Sequence, residues 1–214
     1  MTDIYVGAAV RSVLELHADL LADYPGGRTV GEVLDTQARV LFEAFQREDP
    51  RARVQLSNWS PVGPMEPLTA EIARRTVERE HGFASPPDAE RLALPLDAEF
   101  EAAVFDLLGG REAELAARLD ATPDLVRRRS VFGHGATLLH YLATNGVETW
   151  RQVVPANAVA MAKLVRARGG DPRATMTCYG DRFTVVDLLE TSAHPRSAGV
   201  YRELRAALDP QRRS

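Results

Sequence analysis

Five histidines and a single cysteine, Cys178, are the side chains in this chain best suited to metal binding or nucleophilic work. His134 and His140 stand six residues apart, and Asp181, Asp187 and His194 fall at similar positions in a later stretch. Zinc needs three or four such ligands converging at about 2.1 Å. Neither a histidine pair at i, i+4 nor a cysteine cluster is present to start one. His17 falls on an apolar helical face and reads as a core histidine with a hydrogen-bond partner. His81, just before Gly82, reads as the last residue of a helix, where the helix dipole favours it. Cys178 has no base in its neighbourhood and nothing to lower its pKa, so it reads as a packing residue. No nucleophile elbow, phosphate loop or dinucleotide fingerprint occurs. The residue types point away from an enzyme, and no cofactor or metal is expected. The rival is an enzyme or metal site lined by His134, His140 or His194 between two halves of the chain.

Composition narrows the classes further. The chain has 214 residues, 45% hydrophobic and 26% charged, which suits a globular domain that buries a core without cross-links. Residues 1–97 carry 10 Arg against 16 Asp plus Glu and the remainder carries 16 basic against 14 acidic residues, so −6 and +2 give the net −4. Neither half is basic enough to track phosphates, and Arg127-Arg128-Arg129 is too short a run to do so. No nucleic acid is expected. No apolar run approaches the ~20 residues that span a bilayer, so no membrane is expected either. The start, Met1-Thr2-Asp3-Ile4, lacks the layout of a signal peptide, which makes the expected location cytoplasmic.

The elements that would position these residues are helical. Val6, Val10, Val13, Leu14, His17, Leu20, Leu21 and Tyr24 share one face of a helix over 3–24, stopped by Pro25-Gly26-Gly27. Thr29 and Glu32 have the spacing of a capping box. The helix they open carries Val33, Leu34, Gln37, Ala38, Leu41, Ala44 and Phe45 inward and ends at Asp49-Pro50. A short segment leads to a proline-rich loop over 58–67. Thr69 caps a third helix, Ala70 to Glu80, and Gly82 closes it. Ser85-Pro86-Pro87 to Pro95 is the boundary between two regions. Beyond it, Phe100 to Leu108 and Leu115 to Leu119 form a helix pair. Pro155 suits the first turn of another helix, lined by Ala158, Met161, Leu164 and Val165. Val185 to Thr191 is a further helix, and Ser197, Tyr201, Leu204 and Leu208 line the last.

One pattern repeats at an offset of 47. It pairs Phe132-Gly133 with Tyr179-Gly180, Thr137-Leu138-Leu139 with Thr184-Val185-Val186, and Leu142 with Leu189. The stretch Gly133 to Gly146, with Thr137-Leu138-Leu139-His140 at its centre, resembles the signature of an ankyrin repeat. Gly169-Gly170-Asp171-Pro172-Arg173-Ala174 is similar to the turn that ends such a unit. Within that superfamily the chain looks most like a group of bacterial ankyrin-repeat-containing proteins. Arg79 to Ser85 resembles a short helical motif seen before their ankyrin regions.

The resemblance implies an all-α fold: an N-terminal helical region at 1–96, an ankyrin-like stack of about 2.5 units at 97–210, and a polar tail at 211–214. An ankyrin unit is about 33 residues, so the offset of 47 places an insertion at Val147 to Pro155. His140 then ties its turn to the next unit, with the Thr137 hydroxyl bonded inside the turn. Such proteins bind other proteins through their turns and concave helix face. Aromatic and arginine side chains dominate binding energy. The candidate contact residues are therefore Phe132, His134, Trp150, Arg151, Tyr179 and Arg182, for a protein partner whose identity the sequence leaves open. A homodimer through the helices at 3–47 is a further expectation.

Overall fold

The computed structural model describes residues 3–61, 63 and 67–209; the expected tail at 211–214 and part of the loop at 58–67 lie outside them. The described chain is mostly helical, with two small two-stranded sheets. Strand β1 (Ile4–Tyr5) leads to α1 (Ala8–Leu16), α2 (Ala18–Leu21), α3 (Val30–Gln46), α4 (Pro50–Trp59), α5 (Ala70–Glu80) and α6 (Ala89–Leu92). The second half has α7 (Ala98–Leu108), α8 (Glu112–Ala121), α9 (Leu138–Ala143), β2 (Val154–Pro155) and α10 (Ala158–Ala167). Strands β3 (Thr175–Cys178) and β4 (Asp181–Thr184) form a hairpin, and α11 (Val185–Thr191), α12 (His194–Ser197) and α13 (Tyr201–Leu208) follow. No helix among the described residues is long and apolar enough to cross a membrane.

The caps expected from sequence act at several starts. Thr29 accepts from the Glu32 amide at 3.3 Å while the Glu32 carboxylate accepts from the Thr29 amide at 2.8 Å. Thr69 accepts from the Ile72 amide, and Gly82 ends α5 at φ 80°. At the start of α11, Thr184 and Asp187 form a capping box. At the start of α9, Thr137 and His140 stand in the same relation.

Some expectations fail, each for a traceable reason. The helix expected over 3–24 begins as β1, because Ile4 and Tyr5 pair antiparallel with Pro155 and Val154. That same pairing puts Pro155 in a strand, so α10 starts at Ala158 instead. Two short sheets thus interrupt the all-α fold. Pro50–Trp59 is a helix, because Asp49 caps it by accepting from the Arg51 amide at 2.9 Å and Pro50 fits its first turn. The last helix is split by Gly199 at φ 76°.

Two apolar cores result. One runs through α7 to α13, with Phe100, Leu107, Leu115, Leu139 and Leu189 fully buried. The other lies under α1 to α5, with Val13, Leu34, Leu41 and Val77 at its centre. Phe132 and Trp150 come from the later half yet belong to this earlier core. The apolar stripes of α1 and α3 are therefore spent inside the chain.

Candidate functional site: an ionic seam and the groove beside it

Where the two cores meet, the chain buries charge. The first part of this seam is a chain of hydrogen bonds. The His17 Nε2–H donates to Gln55 Oε1 at 3.0 Å, Gln55 donates to Glu80, and Glu80 accepts from the Thr149 amide at 2.8 Å. Thr149 Oγ1 in turn accepts from the Trp59 indole at 3.0 Å. Helices α4 and α5, and His17 at the junction of α1 and α2, are thereby fastened to the segment between α9 and β2.

The second part centres on Arg151 and Glu148. Arg151 pairs with Glu101 on α7, donates to the Tyr141 hydroxyl at 3.0 Å, and lies 3.6 Å from Glu148. Its guanidinium rests over Trp150 at 4.3 Å, with Tyr24 and Tyr141 also within cation–π range. The other Glu148 oxygen is 3.4 Å from His134 Nε2. His134 Nδ1 accepts from the Ala136 amide, so the ring proton belongs on Nε2, facing the carboxylate. Burial by itself would raise Glu148, but Arg151, His134 and His81 outweigh it and hold the carboxyl below the usual range. Glu101 moves up, since burial exceeds the pull of Arg151. Burial opposes the charge on Arg151, but Glu101 and Glu148 carry its pKa well up.

Backbone holds the seam shut as well. The His134 amide donates to the His81 carbonyl at 3.2 Å, and the Thr177 amide to the His134 carbonyl at 2.9 Å. His81 is buried at the end of α5, its Nδ1 2.9 Å from the Val77 carbonyl and its ring 4.4 Å from that of Phe132. Burial lowers the pKa of both His17 and His81, favouring neutral rings.

This geometry corrects four of the six contact residues expected from sequence. Phe132, His134 and Arg151 are each 1% exposed and Trp150 is 5% exposed, so none of them presents a free surface. The N-terminal helices cover them, and the expected insertion at 147–155 is an inner strut with Glu148 and Thr149 buried. Tyr179 and Arg182 lie on the surface, Tyr179 61% exposed. The rival histidine site does not assemble: His134 faces Glu148, while His194 sits against Gly7 and Tyr5. His140 turns inward, with Nδ1 accepting from the Thr137 amide at 3.1 Å and standing 2.8 Å from its hydroxyl. Burial, helped by Arg129, lowers His140 to about 4. Among the described residues no group of three His, Cys, Asp or Glu is placed to hold a metal ion. Cys178 is buried and its thiol is pushed up to about 11, which keeps it unreactive at neutral pH.

Beside the seam, a groove of about 610 Å³ opens between α4, α5 and the β3–β4 hairpin. Trp59 and Tyr179 form one wall, ring planes 5° from parallel and centroids 5.7 Å apart. Arg75, Arg79, Gly82 and Thr177 contribute the rest of the lining that matters below. Tyr179 and Gly180 both have positive φ, 52° and 83°, which makes the hairpin turn type I′. Asparagine or glycine is the usual occupant there; a tyrosine is strained. The Tyr179 hydroxyl donates to Asn145 at 2.8 Å. Sequence reasoning missed Trp59 and Arg79. The available signals were that Trp59 is one of two tryptophans and that Arg79 opens the helix-end motif before Gly82.

Comparison with known proteins returns nothing: no family model, curated protein or solved structure matches this chain. The groove and the seam therefore have to speak through their own chemistry.

Proposed function

We propose that this is a non-enzymatic protein-binding module whose contact surface is the groove walled by Trp59 and Tyr179. The observation that carries the reading is Tyr179 itself. A large aromatic, 61% exposed, is held at φ 52° on the turn of a hairpin. Such strain persists where surrounding contacts enforce it and commonly marks a functional position. The buried ionisable groups favour the same reading by their position. Glu148, His81, His134 and Arg151 are sealed from solvent, and the charges of Glu148 and Arg151 face each other.

The ankyrin-like interpretation is part of this proposal. Equivalent caps open α9 and α11, through Thr137 with His140 and Thr184 with Asp187. The Ser130 amide donates to the Ala136 carbonyl across a turn at the place where the next unit has its β3–β4 hairpin. Binding then falls on the turns. α9 is buried along its whole length and leaves no concave face of its own. The test is affinity capture from a lysate with wild type, Tyr179→Ser, Arg182→Ser and a remote control, Arg202→Ser on α13. Proteins retained by wild type and the control but lost with Tyr179→Ser support the groove. Identical capture by wild type and all three variants would remove it.

A further inference from the structure

We infer that the groove takes an acidic, extended peptide segment of a partner protein, with a carboxylate on Arg79 and an apolar side chain against the Trp59–Tyr179 pair. This rests on the protein-binding reading above and adds the chemistry of the occupant. Among the described residues the lining holds two arginines and no Asp or Glu, in a chain whose net charge is −4. The two arginines differ in what they have left to give. Arg75 is engaged on all sides: it pairs with Glu78 at 2.8 Å and donates to the Phe83 and Ala84 carbonyls. Its neighbour Arg74 is likewise held by Asp35 and Glu78. Arg79 is exposed and donates to the neutral Ser60 carbonyl at 2.9 Å. Among the described residues it stands in no ion pair.

An arginine with an uncompensated charge at the mouth of a groove favours a carboxylate, which it can grip through two parallel hydrogen bonds. The exposed Tyr179 ring, with the buried Trp59 ring stacked behind it, offers an apolar wall beside it. The volume lies within the range of sites that hold a few side chains. A nucleic acid strand would also like an arginine and two aromatics, but it needs a succession of phosphate contacts. Here, among the described residues, one arginine without an ion pair serves the groove. The shape and charge favour a short acidic segment.

The experiment is fluorescence anisotropy of the full chain with dye-labelled synthetic peptides of equal length. Each carries a central Leu or Tyr flanked by Asp and Glu, by Ser and Gln, or by Lys and Arg; a labelled oligothymidylate is the fourth probe. The acidic set is expected to bind most tightly, and its affinity to fall several-fold between about 0.05 and about 0.3 M salt. Arg79→Gln is expected to weaken it about tenfold, a loss in the range of a charged hydrogen bond. Arg202→Gln should leave it within about twofold, the behaviour of a distant surface charge. Tyr179→Asn, which suits the turn, should weaken all peptides alike. If the neutral set binds as well as the acidic set and Tyr179→Asn abolishes both, the groove stands and the acidic occupant is wrong. Preference for the oligothymidylate overturns the inference in favour of nucleic acid. Failure of every probe to bind at millimolar concentration also overturns it, leaving the protein-binding reading to the capture experiment.

Discussion

The backbones of Gly82 and Gly133 pass so closely that a methyl group on Gly133 would lie 2.6 Å from the Gly82 carbonyl carbon. One glycine ends α5 and the other opens the turn before α9, so the seam between the halves depends on both lacking a side chain. Gly133→Ala is expected to cost about 1–3 kcal/mol through overpacking against backbone that cannot swing aside. Gly63→Ala, with no atom of the described residues within 4 Å of the added carbon, should be close to neutral. Urea unfolding of the two variants checks this, and equal midpoints would show that the backbones do not need to approach.

Arg151 is buried against two carboxylates, and its removal leaves Glu101 and Glu148 without their cation. Arg151→Met should therefore destabilise by about 3–5 kcal/mol. Replacing all three groups by apolar residues of similar size should recover most of the loss, because the desolvation cost disappears with the charges. A single-variant loss below about 1 kcal/mol would mean that the cluster is wet and weakly coupled.

Acid should loosen the seam. His17, His81 and His140 all have folded pKa values below the ordinary 6.5, so below pH 6.5 the unfolded chain binds protons that the folded chain resists. Stability contributed by these rings is present above pH 6.5 and is lost as pH falls towards about 4 for His140. Each ring contributes a slope of up to about 1.4 kcal/mol per pH unit within its own window. Glu148, held low, adds to the loss as pH drops below its ordinary 4.5, while Glu101, held high, opposes it by taking up a proton in the fold. Melting temperature should be flat from pH 8 to 7 and decline below about 6.5. A profile unchanged down to pH 5 would mean these rings are not buried neutral.

Tyr179→Asn separates binding from stability. Asparagine tolerates the positive φ of a type I′ turn better than tyrosine, so the hairpin should gain up to about 1 kcal/mol, less the loss of the Trp59 stack. Partner binding through the groove should fall at the same time. A variant that melts several degrees lower would show that Tyr179 serves the fold.

The helices α3 and α5 were legible in the sequence because they carry their own instructions. Thr29 with Glu32, Thr69, and the apolar spacing of α3 and α5 act within a dozen residues. Phe132 and Tyr179 show where that legibility ends. They occupy equal positions in the repeated pattern, yet Phe132 is buried beneath the first half beside His81, and Tyr179 stands on the surface. Trp150 and Arg151 were expected outside for the same reason that Phe132 was: aromatic and arginine side chains suit both an interface and a covered seam, and periodicity does not tell them apart.

What the amino-acid sequence determined by itself was local: the capped starts of α3 and α5, the apolar faces, the repeated Thr-x-x caps, and the inward duty of His17 and His140. What only the tertiary structure decided was which surface remains free. The first half folds back over the start of the second, pairing Ile4 with Pro155, seating Glu80 on the Thr149 amide and enclosing Glu148 with Arg151. Those partners lie between 3 and 151 residues apart along the chain, and no local propensity encodes contacts of the longer kind. Burial of charge is affordable only when every partner arrives together, so the seam, and the groove left open at its edge, exist only in the folded chain.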